Sequence, residues 1–295
     1  MRMAKSSVGM LGLGIMGSAI AANLMKRGFR VVGYDPLETC RRRHTRAGGV
    51  VAKNAEEVAS SAAILITSLP SAKALDSISK AVSGRRIVVE TSTLPLADKE
   101  RARKILAAKG ATLLDCPLSG TGAQARVGDL VVFGSGIFSK YRKVVPVLRG
   151  FSRTQYYLGA FGNGSKMKYV ANLLVAIHNV SAAEAVVLAR RAGLDAATAV
   201  RVLGDGAGGS RMLQVRGPMM ARRAYLPATM SNKLWQKDMR IIDDFARRLG
   251  SPTPLFTASR RIYRAAMAQG LAKQDTAAVC AVLERRAGKS KRGSK

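Results

Sequence analysis

Several residue types are scarce in this 295-residue chain, and each scarcity excludes something. Cysteine occurs only at Cys40, Cys116 and Cys280, an odd number at wide spacing. With no CxxC pair and no Cys/His cluster, neither a disulfide framework nor a zinc site is expected, so no metal is assigned, and reduced thiols suit a cytoplasmic location. Histidine is limited to His44 and His178. Aromatic residues make up 5% of the chain, and neither a stacking series nor a nucleic-acid-binding motif accompanies its charge. Acidic residues are few: Asp+Glu number 18 against 49 Lys+Arg, a formal charge of +31. Such a field draws anions of every kind, including phosphates, carboxylates, nucleic acid and anionic lipid. One apolar run, Val8–Met25, follows Arg2 and Lys5 in the manner of a signal peptide. Gly9, Gly12, Gly14 and Gly17 would weaken it as a helix and Asn23 interrupts it, so a strand, tight turn and helix fit better. No other segment reads as a membrane span.

What remains is the composition of a folded protein, 47% hydrophobic and 23% charged, long enough for two cores. The first half alternates apolar runs with amphipathic stretches, the pattern of βαβ units and a parallel sheet. Strands are expected at Ser7–Leu13, Arg30–Tyr34, Ala63–Thr67, Ile87–Glu90, Thr112–Leu114, Leu130–Phe133 and Thr154–Tyr157. Helices are expected at Ser18–Arg27, Leu37–Ala47, Ala72–Ala81 and Pro95–Lys109. After Gly164 strand-like runs cease. A long helix is expected over Ser165–Ala192, ending at Gly193, with others near Ala196–Leu203, Ser231–Leu249, Pro254–Gln269 and Asp275–Arg286. These patterns predict a nucleotide-binding domain over 1–162, an all-α domain over 163–285 and a basic tail over 286–295.

The first expected strand runs into Gly12-Leu13-Gly14-Ile15-Met16-Gly17, which opens a helix. The context is that of a dinucleotide turn: Gly12 for the sharp bend, Gly14 for approach of a pyrophosphate, Gly17 for close helix packing. The helix N-terminus then offers free N–H groups and a positive dipole to phosphate. The fold class that follows is α/β: an N-terminal Rossmann-type doubly wound sheet, joined by a long helix to a C-terminal all-α domain. Asp35 ends the second strand where an acid bonds the adenosine ribose hydroxyls, which favours NAD over NADP; one of Arg41, Arg42 and Arg43 could hold a 2′-phosphate instead.

Further motifs follow in order: Thr67-Ser68-Leu69-Pro70, Glu90-Thr91-Ser92-Thr93, Asp115-Cys116-Pro117-Leu118-Ser119-Gly120-Thr121, Gly162-Asn163-Gly164 with Lys168 and Asn172, and Lys237-Asp238. In this order and over nearly the whole chain they resemble the β-hydroxyacid dehydrogenase family, the 3-hydroxyisobutyrate dehydrogenase-like enzymes. The resemblance implies that Leu69, Pro70 and Thr93 contact the cofactor, and that Ser119, Gly120 and Thr121 hold a substrate carboxylate. It implies that Lys168 and Asn172 form the catalytic pair, with Lys237 serving cofactor or substrate. Two residues depart from the family pattern: Thr121 replaces a common glycine and would narrow or polarise the pocket, and Ala171 replaces the first of two asparagines.

Oxidising an alcohol by hydride transfer needs a group to take the hydroxyl proton. His44, in the Arg-rich stretch, reads as a solvated surface residue, and His178 as a core or interdomain histidine. Lys168 and Asn172 stand one helical turn apart, so both can converge on one oxygen, whereas Lys166 points away. Taking a proton near neutral pH requires a lysine that is neutral part of the time, through burial or a second cation such as Lys237. Asp238 reads as a structural cap or pair, and Trp235 and Phe245 as core.

The function expected is therefore an NAD(P)-dependent oxidoreductase moving a hydride between the cofactor and a small 3-hydroxy acid or its semialdehyde. Imine reductases share the architecture but tend to lack the lysine, and phosphogluconate decarboxylation needs a longer helical domain. The alternative of another class is a catalytically silent, dehydrogenase-like binding protein that uses its basic surface on nucleic acid, non-specifically. A homo-oligomer, dimer or tetramer, is expected from the resemblance.

Overall fold

The alternating and then purely helical patterns become two compact units, Met1–Lys168 and Tyr169–Lys295, in the computed structural model, which describes residues 5–290. Arg2, at one end, and Lys291, Arg292 and Lys295 of the expected tail lie outside the described residues.

The first unit starts with β1 (Lys5–Leu11), α1 (Ile15–Lys26), β2 (Phe29–Tyr34), α2 (Glu38–Arg46), β3 (Val50–Val51) and α3 (Ala55–Ser61). It continues with β4 (Ile64–Thr67), α4 (Ala72–Ala81), β5 (Ile87–Glu90), α5 (Leu96–Ala108) and β6 (Thr112–Asp115). These six strands form one sheet in the order β3-β2-β1-β4-β5-β6, and every pair is parallel. The order reverses between β1 and β4, the switch point where doubly wound sheets open a crevice at the strands' carboxyl ends. Alternation along the strands divides the apolar side chains between two faces. Met10, Ile66, Val89 and Leu114 pack with α1, while Leu11, Leu65, Val88 and Leu113 pack with residues of α3, α4 and α5.

The chain then forms β7 (Leu118–Ser119), α6 (Gly122–Arg126), β8 (Val131–Gly134), α7 (Phe138–Leu148) and β9 (Thr154–Tyr157). The strand-like runs at Leu130–Phe133 and Thr154–Tyr157 thus belong to a separate three-stranded sheet, β7-β8-β9, in which β7 and β8 are antiparallel.

The second unit holds most of α8 (Asn163–Arg191), then α9 (Ala196–Asp205), α10 (Arg211–Arg222), α11 (Asn232–Arg248), α12 (Pro254–Ala268) and, after a short 3₁₀ turn at Thr276–Ala278, α13 (Val279–Ser290). α13 runs on past Arg286, so the start of the segment expected as a tail is helical. By length and apolarity alone α8 could cross a membrane, contrary to the expectation that no further segment could. Its Tyr169, Ala176, Val180, Ala183 and Val186 are core residues of the helical unit, beside Trp235, Met239, Phe256 and Tyr263. A buried pair, Arg216 and Asp275 at 3.0 Å, stiffens that core; Asp275 also accepts the Thr229 and Met230 N–H groups.

His44 departs from its expected place in solvent. Its ring is 2% exposed and packs on β2, in space left by two glycines: a Cβ would lie 2.9 Å from the ring at Gly33 and 2.2 Å at Gly49. Burial pushes its pKa below the ordinary value, only partly offset by the Val31 and Val50 backbone.

Candidate active site

The phosphate turn is built by backbone contacts that only glycine permits. The Gly12 N–H donates to the Tyr34 carbonyl and the Ser68 N–H to the Leu11 carbonyl, so the turn sits over the switch point. At Gly12 φ is +93°, and a Cβ would lie 2.3 Å from the Ser68 carbonyl oxygen. At Gly17 a Cβ would lie 1.9 Å from the Gly12 carbonyl oxygen. Gly14 is different. A Cβ there would meet nothing within 4 Å, and its φ of −64° suits any residue. Nothing in the protein's own packing asks for glycine at that point, whereas a dinucleotide phosphate pressed against the backbone does. Gly14 is also the N-cap of α1, with no side-chain cap and no acid in the first turn, which leaves N–H groups for phosphate. The residues present therefore fit a dinucleotide. Leu13 is buried, Ile15 exposed and Met16 half-buried along the same turn.

Asp35 is tied to the turn. Its carboxylate accepts the Leu13 N–H at 2.8 Å and the Leu37 N–H at 2.9 Å, leaving further lone pairs for ribose hydroxyls. The arginines of α2 are engaged nearby: Arg41 donates to the Asp35 and Pro36 carbonyls, Arg43 to the Leu13 carbonyl, and Arg42 pairs with Glu38. Leu69 and Pro70 follow β4. The Leu69 N–H donates to Ser92 Oγ at 2.8 Å, which links that loop to the segment carrying half-buried Thr93.

Ser119 closes β7, and Gly120 follows with φ of +136°, where a Cβ would lie 2.6 Å from Leu130. Thr121 proves to be the N-cap of α6. Its Oγ accepts the Gln124 N–H while its own N–H donates to the Gln124 side chain, a reciprocal capping box. The hydroxyl that stands where a glycine is common thus helps to hold the loop in shape. α6 rests on α1: Asn23 donates to the Ala125 carbonyl, and a Cβ on Gly122 would touch Ile15 at 2.7 Å. The cofactor turn and the Ser119–Thr121 loop are thereby coupled within one unit.

Lys168 is 8% exposed on α8, and Asn172, one turn later, is 3% exposed; Lys166 is exposed. Asn172 Nδ2 donates to Asp238 Oδ2 at 3.0 Å, and Lys237 Nζ lies 3.2 Å from Asp238 Oδ1. Asp238, read from sequence as a structural pair, thus holds two of the expected site residues at once. What sequence reasoning missed is the buried support of α8: Lys99 paired with Glu90 and Asp115, and Asp115 bonded to Ser165. The only signal was an ordinary-looking lysine inside an amphipathic helix. Among the described residues no group of three or more His, Cys, Asp or Glu is placed to hold a metal.

Two protein families match the chain. The one described as the NAD binding domain of 6-phosphogluconate dehydrogenase matches residues 7–159; the one described as NAD-binding of NADP-dependent 3-hydroxyisobutyrate dehydrogenase matches residues 162–283. The chain is 30% identical to the chloroplastic glyoxylate/succinic semialdehyde reductase 2 of Arabidopsis thaliana, over 94% of this chain and 79% of the relative. It is 30% identical to the L-threonate dehydrogenase of Cupriavidus necator, over 92% of this chain and 94% of the relative. The crystal structure of a 3-hydroxyisobutyrate dehydrogenase from Salmonella typhimurium superimposes with a TM-score of 0.86 at 27% identity, covering 94% of this chain and all of that one. None of these proteins is named for binding nucleic acid, so nothing here supports that use of the basic surface.

Proposed function

The chain belongs to the β-hydroxyacid dehydrogenase family, and from that premise we propose the reaction it performs and the residues that carry it. It is an NAD(P)-dependent oxidoreductase. The substrate class that fits is a small 3-hydroxy acid, or the corresponding semialdehyde in the reverse direction, since relatives are named as 3-hydroxyisobutyrate and L-threonate dehydrogenases; a relative named as a glyoxylate/succinic semialdehyde reductase adds other short aldehyde acids to the candidates. One observation carries the reading: an open glycine turn at Gly14 that only a ligand explains, in a chain whose buried Lys168 stands one helical turn before Asn172.

The dinucleotide, when bound, accepts or supplies the hydride. The protein's own work is proton transfer and orientation. In oxidation the neutral Lys168 amine takes the proton of the substrate hydroxyl as the carbon–oxygen double bond forms; in reduction its ammonium returns that proton to the carbonyl oxygen. Asn172, held by Asp238, orients Lys168 or the substrate oxygen. Ser119 and Gly120 offer a hydroxyl and a backbone N–H to the substrate carboxylate, and Thr121 keeps their loop in shape. Gly12, Leu13, Gly14, Ile15, Met16 and Gly17 hold the pyrophosphate, with Leu69, Pro70, Thr93 and Lys237 at the remaining cofactor contacts. NAD is preferred over NADP, because the Asp35 carboxylate repels a 2′-phosphate while Arg41 and Arg43 are spent on backbone carbonyls.

The same reading includes self-association and a cytoplasmic location. The first is supported by Val170, Leu174 and Leu188, exposed at 52%, 47% and 70% along α8, the second by three free cysteines. Light scattering behind a sizing column tests the first, and cell fractionation the second. The reaction is tested by following NADH and NADPH absorbance with glyoxylate, succinic semialdehyde, 3-hydroxyisobutyrate and L-threonate. Turnover of at least one, faster with the NAD form, is expected; silence across the panel overturns the proposal.

A further inference from the structure

Lys99 occupies a place that a lysine ordinarily avoids. It lies inside α5, where Arg101, Arg103 and Lys104 are exposed, yet its own side chain is wholly buried. Nζ donates to the Ser92 carbonyl at 2.7 Å and to Asp115 Oδ1 at 2.8 Å, and forms an ion pair with Glu90 Oε2 at 2.5 Å. Burial alone would lower the lysine's pKa, but the Asp115 and Glu90 carboxylates outweigh it and hold the ammonium above its usual range. Lys99 therefore stays charged and takes no part in proton transfer. One cation between two anions leaves a surplus negative charge without access to water, and such a group persists only where other donors complete it.

Those donors come from the start of α8. Ser165 N–H donates to Asp115 Oδ2 at 2.7 Å and Ser165 Oγ to Oδ1 at 2.8 Å, at a helix N-terminus that favours an anion. Ser135 Oγ reaches Asp115 Oδ2 at 3.3 Å and accepts the Gly164 N–H at 3.0 Å. Gly164 makes this seating possible, since a Cβ there would lie 2.2 Å from the Phe133 carbonyl oxygen and 2.7 Å from that of Asp115. On the other side of the cluster Glu90 Oε1 accepts the Ser92 N–H, and Ser92 Oγ accepts the Leu69 N–H. One buried cluster thus grips both the turn of α8 that precedes Lys168 and the loop that carries Ser92 and Thr93.

We propose that the Lys99–Glu90–Asp115 cluster is a positioning device, which holds the first turn of α8, and so Lys168, in fixed register with the Ser92–Thr93 loop. The inference rests on Lys168 being the proton-transfer group. Charge-assisted hydrogen bonds fix direction as well as distance, and small displacements of a reacting group are costly in rate.

The test uses two single-atom deletions in the full chain, Ser165→Ala and Ser135→Ala, each of which leaves Lys99, Glu90 and Asp115 in place. Three readouts are taken: kcat on whichever semialdehyde the wild-type chain reduces, the Kd for NADH, and amide hydrogen exchange over residues 163–168. Ser165→Ala is expected to lower kcat about tenfold with NADH affinity within about twofold, and to speed exchange in the first turn of α8. Unchanged kcat, unchanged exchange, or a parallel loss of NADH affinity overturns the proposal. Loss of the folded state in both variants would make the cluster a general stabiliser and overturns it as well. Absence of turnover by the wild-type chain on the whole panel defeats the catalytic reading instead, and the exchange measurement distinguishes that case.

Discussion

Two glycines three residues apart in the same turn are expected to respond in opposite ways to alanine. At Gly14 the added Cβ meets no protein atom within 4 Å and the backbone, at φ −64°, needs no adjustment. Restricting the unfolded chain adds about 0.4–1 kcal/mol of stability, and alanine's weaker N-capping removes a similar amount, so Gly14→Ala is expected to fold within about 0.5 kcal/mol of wild type. That is a shift of about 1–2 °C in the thermal midpoint. The methyl group instead intrudes on the phosphates, and the Kd for NADH is expected to rise at least tenfold, about 1.4 kcal/mol. At Gly17 the Cβ falls 1.9 Å from the Gly12 carbonyl oxygen, a backbone atom that cannot swing aside. Gly17→Ala is expected to cost about 1–3 kcal/mol of stability through overpacking. Calorimetric melting and NADH fluorescence titration separate the two. Wild-type affinity in Gly14→Ala would refute the reasoning, and so would a loss of stability there equal to that of Gly17→Ala.

Other consequences follow from burial and charge. His44 binds its proton more weakly in the folded than in the unfolded chain, so its contribution to stability is full above pH 6.5 and declines as pH falls from 6.5 to the folded-state value. Urea midpoints measured from pH 8 to pH 5 are expected to show that slope, and His44→Leu to flatten it. Asp35→Asn keeps an acceptor for the Leu13 N–H but removes the charge, and is expected to shift the kcat/KM ratio toward NADP by about tenfold, read in paired cofactor assays. Asp275→Ala leaves Arg216, 3% exposed, without its partner, and is expected to cost about 3–5 kcal/mol in denaturant unfolding.

The sequence was most legible where one signal sufficed. Ile87–Glu90 and Thr154–Tyr157 are strands at the expected residues, and the Gly12–Gly17 turn stands between the strand and helix it requires. Four helices are not legible: α7 and α10 each contain a breaker, Pro146 and Gly217-Pro218, and α3 and α6, at 7 and 5 residues, are too short for a clear period. β3 and β7 are two residues long, too short for any periodicity. The burial of His44 is not legible because the space for its ring is set by Gly33 and Gly49, and Gly33 lies eleven positions earlier, on β2, against which α2 packs. Lys99 was invisible for a related reason. Its partners are Glu90 of β5, the Ser92 carbonyl just after it and Asp115 of β6, which in turn takes Ser165 at the start of α8, and only the fold brings them together.

The most direct test of Lys168 as the proton-transfer group is steady-state reduction of the preferred semialdehyde by wild type and by Lys168→Ala, with NADH binding measured on both. Turnover by the wild type is expected to fall by about 10²–10⁴-fold in the variant, while the Kd for NADH stays within about twofold. Turnover retained within about tenfold of wild type would contradict the assignment of Lys168, as would a loss explained by weakened NADH binding alone.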